Sequence, residues 1–268
     1  MNATPLITVV LATYNWPEAL DLCLQSLQTQ TDRHFEICIA DDGSRSDTTE
    51  LITRWQTQSG VPIRHFWQED QGFRKSRILN QAIAQARGEY LVFLDGDCIV
   101  QPDFMARHRA LAAPGFLVTG ARILLSEPLT RSLCASRAWD AADFLRQSAR
   151  LRWRGQLNKW LPLVCKLPDH PGRNYREFVW RRIKGCNMAA WRDDVTRIGG
   201  FDEGLEGWGH EDADFVFRLQ AAGVKRKSGS WATEVLHLWH RTASKETAEK
   251  NAAIVRAKIL AKAQRAQP

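Results

Sequence analysis

Through the first hundred residues, short apolar runs alternate with stretches in which apolar residues recur every three or four positions. That rhythm belongs to βαβ units, and it predicts an α/β fold with a mostly parallel central sheet flanked by helices. Leu6 to Ala12 reads as the first strand. Pro17 stands where a helix starts, and Ala19, Leu20, Cys23, Leu24 and Leu27 follow at helical spacing. Phe35 to Ala40 is the second predicted strand, closed by the polar turn Asp41-Asp42-Gly43-Ser44, and Asp47 is positioned to cap a helix reaching about Gln58. Val61 to Trp67 reads as a strand, Ser76 to Arg87 as a helix, and Tyr90 to Leu94 as a fully apolar and therefore central strand.

Beyond Arg122 the rhythm is lost until Gly185, from which an apolar run extends to Trp191. A cluster rich in glycine and acids spans residues 199 to 223, a strand-like segment spans 231 to 240, and a polar Ala/Lys helix is predicted from Ser244 to Ala263. No repeat or low-complexity linker divides the chain.

Composition narrows the class. With 44% hydrophobic and 25% charged residues, the chain is neither disordered nor fibrous. The net charge of +7 is concentrated in residues 131 to 184, where thirteen Lys/Arg face only Asp140, Asp143, Asp169 and Glu177. A single basic stretch points to a local anionic partner, and no nucleic acid is expected. Trp139, Trp153, Trp160 and Trp180 lie among these cations. That mixture suits an anionic membrane surface, at about 1 kcal/mol per basic residue, or a phosphorylated glycolipid. The alternative is a solvated helical face with the Trp rings turned inward. The N-terminus lacks a basic signal-type region, and no uncharged run approaches the roughly 18 residues of a spanning helix. A cytoplasmic protein is expected, peripheral at most on the cytosolic face of the inner membrane. The six cysteines form no CxxC pair and read as reduced thiols.

In open parallel sheets, ligands bind beyond the carboxyl ends of the strands. Three polar strand ends should therefore converge: Thr13-Tyr14-Asn15, Asp41-Asp42 and Asp95-Gly96-Asp97. Two carboxylates separated by one small residue can hold a hard divalent cation, which neutralises a diphosphate. His237 or His240 can supply a further ligand; positions three apart on an ideal strand face opposite ways, so both reach one ion only if the strand breaks between them. Glu211-Asp212-Ala213-Asp214 opens a helix, where the helix dipole favours carboxylates. Gly207-Trp208-Gly209, just before it, carries an aromatic face of the kind that stacks on sugars.

With these motifs in order, the chain resembles family 2 glycosyltransferases of GT-A fold. Its C-terminal half is similar to the galactosyltransferase-like module of chondroitin-polymerase-type and β-1,4-galactosyltransferase-type enzymes. The resemblance is carried by TVVLATYNWPEALDLCLQSLQTQ, ICIADDGSRSDTTELI, GFRKSRILNQAIAQARGEYLVFLDGDCIVQPDF, GCNMAAWRDDVTRIGGFDEGLEGWGHEDADFVFRL and VLHLWH. It implies a donor-binding half at residues 1–125, a basic insert at 126–184, an acceptor-binding half at 185–243 and a C-terminal helix at 244–268. It further implies that Thr13, Tyr14, Asn15, Asp41 and Asp42 line the nucleotide pocket, one aspartate receiving a uracil-type base, with Arg77 and Asn80 near the diphosphate. Asp95 would belong to the donor site, and Asp97 with His240 and His237 would hold Mn2+ or Mg2+. Asp212 would be the general base, with Glu211 and Trp208 on the acceptor sugar. The implied reaction is inverting transfer from a nucleotide sugar to a glycan or glycolipid acceptor in bacterial surface-glycan assembly. Two features depart from the pattern. The late motif reads His-Leu-Trp-His-Arg where His-Glu-Pro is common, and retaining GT-A enzymes carry a similar Gly-Trp-Gly. The rival classes are a metal-dependent nucleotidyltransferase, which would release pyrophosphate, and non-enzymatic anion binding by the basic insert.

Overall fold

The computed structural model describes residues 4–241 and 247–265. Strands β1 (Ile7–Thr13), β2 (Phe35–Asp41), β3 (Ile63–Trp67) and β4 (Tyr90–Asp95) alternate with helices α1 (Pro17–Gln28), α2 (Ser46–Gln58) and α3 (Lys75–Gln85). The first strand runs one residue later than the hydrophobic pattern alone suggests, because Thr13 and Asp41 continue the ladder as paired neighbours. Arg45, not Asp47, occupies the cap of α2; Asp47 lies in the first turn, where its Oδ1 accepts from the Thr48 N–H at 2.8 Å. The third strand starts at Ile63, after Pro62, which has no N–H to give.

Beyond β4 come β5 (Cys98–Ile99), α4 (Phe104–Leu111), β6 (Phe116–Thr119) and β7 (Arg122–Leu124). Three helices then fill the stretch where the rhythm is lost: α5 (Glu127–Ser136), α6 (Ala141–Trp153) and α7 (Leu161–Val164). The chain continues through β8 (Asn174–Tyr175), β9 (Asn187–Trp191), α8 (Arg192–Arg197), α9 (Glu211–Ala221), β10 (Lys225–Ser228), β11 (Val235–His237) and α10 (Ala248–Arg265). The strand-like segment 231 to 240 is thus a strand only at Val235–His237, and Ser244 to Glu246 of the predicted last helix lie outside the described residues.

The main sheet has eight strands in the order β3-β2-β1-β4-β9-β6-β10-β8, and a smaller one has the order β5-β11-β7. β1 is parallel to both β2 and β4, whereas β9 enters antiparallel to β4. Burial on both faces explains the continuous apolar runs. Val9 and Leu11 face a core shared with Leu20, Leu24 and Leu27 of α1. Val10 and Ala12 face a second core with Ile78 and Leu79 of α3 and Phe215 and Val216 of α9, as the period of two requires. A third cluster joins Ile99, Ile123 and Leu236 of the small sheet to Leu129, Phe144, Leu157 and Leu163. Trp139 and Trp160 pack against this third cluster and Trp180 against the second, while Trp153 is 87% exposed. Among the described residues, no helix is long and apolar enough to cross a membrane.

Candidate active site

Register sets the site. Thr13 is paired with Asp41, and Ala12 with Asp95, so three polar carboxyl ends lie level across neighbouring strands. Past these ends, Asn15 has φ +48 and ties the first two loops together: its N–H donates to Ser44 Oγ at 2.9 Å, and its Oδ1 accepts from the Arg45 N–H at 2.9 Å. Tyr14 is exposed, and its hydroxyl donates to Asp70 at 2.9 Å. Asp41 is sealed in the structure, accepting from the Ser44 N–H at 2.8 Å and from His65 at 3.0 Å. Asp42 accepts from Gln68 at 2.5 Å and from the Arg74 N–H at 2.9 Å, and burial raises its pKa. Gly43 is required at this turn: its φ is +96, and a Cβ there would sit 2.6 Å from the Asp70 backbone.

Two strand pairings bring the far histidines to the DGD turn. His237 is the partner of Cys98, one residue beyond Asp97, and β11 ends at His237. The chain then bends, and the Leu238 N–H donates to the Asp97 carbonyl at 2.9 Å. His240 Nε2 consequently reaches Asp97 Oδ2 at 3.2 Å, beside His237 Nε2 at 3.6 Å. One ligand atom from each of Asp97, His237 and His240 falls within 4.8 Å of the others. The imidazole Nδ1 atoms of His237 and His240 donate to the Leu238 and Arg241 carbonyls, each at 2.9 Å, so the Nε2 atoms are the ones turned toward Asp97 and available to ligate a cation. This donor set, two imidazoles and a carboxylate, fits a divalent ion of the manganese type. Arg122 donates to His237 Nε2 at 3.4 Å and must withdraw for that nitrogen to bind a cation. Without an ion, the hydrogen bond to Asp97 raises the pKa of His240 to about 8, and burial lowers that of His237.

Asp95 turns the other way. It lines a water-sized cavity with Lys75, Gly185, Phe201, Glu211 and Asp212, which brings one residue of the DGD turn close to the start of α9. The antiparallel entry of β9 arranges this by pairing Asn187 with Leu94. The Gly185 N–H, two residues earlier, donates to Asp212 Oδ2 at 2.9 Å, and the Ala213 N–H donates to its Oδ1 at 2.7 Å. Lys75 Nζ lies 2.5 Å from Asp95 Oδ1. Burial lowers its pKa, but the Asp95 and Glu211 carboxylates outweigh that and hold the ammonium charged. Glu211 keeps Oε2 sealed from solvent, without a hydrogen-bond partner among the described residues. Burial, reinforced by the Asp212 charge, pushes its carboxyl up to about 7.

The remaining expected residues lie elsewhere. The Asn80 amide is committed to the loop before α9, donating to the Phe201 carbonyl and Glu203 at 2.9 Å each and accepting from the Phe201 N–H at 2.8 Å. Arg77 is exposed on α3. Trp208 is half-buried in a turn whose glycines Gly207 and Gly209 have φ +75 and +110, and its carbonyl accepts from Thr247. Lys75 and Arg122 are the site residues that the sequence reading missed. Lys75 had a signal in its place two residues before Arg77, whereas Arg122 had none. Below the histidines, Cys98, Cys186 and His237 form a second, fully buried trio, and burial pushes the Cys98 thiol well up.

Comparison with known proteins gives this arrangement relatives. The family described as "Glycosyl transferase family 2" matches residues 8–128, and "N-terminal domain of galactosyltransferase" matches residues 171–241. The chain is 29% identical over 245 residues to validoxylamine A glucosyltransferase of Streptomyces hygroscopicus subsp. limoneus, covering 87% of this chain and 52% of that protein. It is 24% identical over 236 residues to chondroitin synthase of Escherichia coli, covering 83% of this chain and 33% of the synthase. The chain thus spans about half the length of the first of these relatives and a third of the second. Among solved structures it is similar to GalNAc-T7 with UDP, GalNAc and Mn2+, with a TM-score of 0.66 and 17% identity over 96% of this chain and 48% of that one.

Proposed function

The chain belongs to glycosyltransferase family 2 and adopts the GT-A fold, and on that premise we propose that it transfers a sugar from a UDP-type donor to a hydroxyl of a glycan or glycolipid, with inversion. The carrying observation is that Asp95 and Asp212 line one cavity while Asp97, two residues on, meets His237 and His240. Residues 1–125 hold the donor in this reading, and residues 185–243 the acceptor. Asp97, His240 and His237 hold Mn2+ or Mg2+, in keeping with the Mn2+ and UDP in the GalNAc-T7 structure. Such an ion would supply positive charge to the leaving diphosphate, whose oxygen needs charge rather than a proton.

Lys75 neutralises Asp95 and keeps the start of α3 against the turn. Thr13, Tyr14, Asn15 and Asp42 form the nucleotide side; Asp41 supports them from beneath through Ser44 and His65. Each Asp212 oxygen already receives one backbone N–H and keeps a lone pair for the acceptor hydroxyl. The acceptor oxygen bonds the anomeric carbon, the bond from that carbon to the diphosphate breaks, and the hydroxyl proton passes to Asp212. Glu211 and Trp208 orient the acceptor sugar. The setting is surface-polysaccharide or lipopolysaccharide assembly at the cytosolic face of a bacterial membrane.

The test is a panel of nucleotide sugars with Mn2+, reading the released nucleoside diphosphate. Wild type should hydrolyse one donor slowly; Asp97→Asn should lose that activity; Asp212→Asn should bind donor yet transfer nothing. The product's anomeric configuration, read by NMR, decides inversion against retention. Release of pyrophosphate, or turnover of no donor with any metal, would sink the reading.

A further inference from the structure

An open pocket of about 820 Å3 lies among α6, α7 and the loops around β7 and β10, large enough for sugar units. Arg122, Arg152, Lys159, Arg173, Arg182 and Lys184 line it, against Glu234 as the one acid among the described residues. Glu234 is buried, accepts from the Trp231 N–H at 2.7 Å, and has Lys159 at 3.8 Å. Among the described residues, the other five cations have no carboxylate within 4.0 Å. Arg173 is buried with its guanidinium donating to the carbonyls of Leu167, Pro168, Ser228 and Ser230, which orient it without cancelling its charge. Cations held in a concave wall with so little opposing charge focus a positive potential into the pocket.

The position of the pocket says which ligand it serves. On one wall Arg122 touches His237 of the metal-type trio. On another, Arg182 and Lys184 lead into Gly185, whose N–H holds Asp212. Thr13, Asn15 and Asp42 follow β1 and β2, on one side of β4 in the sheet; β6 and β10 of the pocket region lie on the other side, beyond β9. The pocket therefore adjoins the base without overlapping the nucleotide side. Trp231, which is exposed, adds an aromatic face of the kind on which sugar rings stack. A flat membrane surface fits poorly: the cations line a concavity, and three of the four Trp rings of the basic stretch turn into the core.

We infer that this pocket seats the acceptor and that the acceptor is an anionic glycan, bearing carboxylate or phosphate groups within a few sugars of the reacting hydroxyl. The inference rests on the glycosyltransferase reading. Its ligands are uronate-bearing or phosphate-bearing oligosaccharides, with charge-assisted hydrogen bonds to exposed Arg152, Arg182 and Lys184.

The experiment measures binding, by calorimetry on the full chain, of neutral, glucuronate-bearing and phosphate-bearing tetrasaccharides. Vesicles of phosphatidylcholine with and without phosphatidylglycerol form a further arm. One or both anionic oligosaccharides should bind at least about tenfold more tightly than the neutral one, and the tighter of the two identifies the recognised group. An Arg152→Glu/Arg182→Glu variant, both positions being exposed, should lose that preference while its circular dichroism stays native. Equal binding of neutral and anionic sugars, a preference that persists in the variant, or binding confined to anionic vesicles would each overturn the inference. Donor hydrolysis with Mn2+ is measured on the same wild-type preparation. An active enzyme without anion preference defeats this inference alone, and a chain that turns over no donor defeats the reading beneath it.

Discussion

Replacing Glu211 by Gln should stabilise the metal-free chain increasingly as pH rises above 4.5, with the full effect reached above about 7. Glu211 Oε2 is buried without a partner among the described residues, and burial together with the Asp212 charge raises the carboxyl from 4.5 to about 7 in spite of Lys75. Below pH 4.5 the folded and unfolded chains both carry the proton, and no penalty exists. Between 4.5 and about 7 the unfolded chain ionises while the folded one resists, so stability falls as pH rises; above about 7 both are ionised and the loss is complete. Each tenfold difference in proton affinity is worth about 1.4 kcal/mol, which caps the penalty near ~3 kcal/mol. The residue is partly exposed, and screening on that side brings the expectation to about 2 kcal/mol. For a chain of this size that is a rise in Tm of about 4–8 °C. Wild type and Glu211→Gln would be melted from pH 4.5 to 8.5 with EDTA present. His108, buried and held neutral down to about 4, makes wild type less stable in acid, but it is common to both proteins and cancels in the difference. A Tm difference that is constant with pH, or a variant less stable at pH 8, would refute the account of Glu211.

Saturating Mn2+ should raise the wild-type Tm, by the equivalent of about 2.7 kcal/mol at a hundred times Kd, and Asp97→Asn or His240→Ala should abolish that rise in a thermal-shift assay. Lys75→Met leaves Asp95, Glu211 and Asp212 without their cation; a loss of about 3 kcal/mol is expected in urea unfolding at pH 8, shrinking at pH 5 as Glu211 takes up its proton. Lys258 of α10 pairs with both Asp202 and the fully buried Asp214, which keeps Arg218 as a second partner. Lys258→Ala should therefore cost only about 1–2 kcal/mol and speed amide exchange along α10.

The strands that carry the site could be read directly from the chain. β1, β2 and β4 are buried on both faces, so their apolar runs are unbroken, and the polar residues that end them must stand at the carboxyl edge of the sheet. Asp41, Asp42, Asp95 and Asp97 were legible for that reason, and the Glu211-Asp212 helix start for its neighbouring glycines. Convergence was not legible, since it depends on partners far apart in sequence. Lys75 finds Asp95 through the crossover of α3, and Asp212 meets Gly185 because β9 enters antiparallel to β4. Both histidines face Asp97 because β11 stops at His237, and a three-residue strand carries too weak a periodicity to announce its end. The Trp-bearing basic stretch shows the same limit. Its composition fits an interface or a packed helix equally well, and only the packing of Trp139 and Trp160 on the third core cluster and of Trp180 on the second turns these rings inward, while Arg152, Lys159, Arg173, Arg182 and Lys184 are left around a pocket.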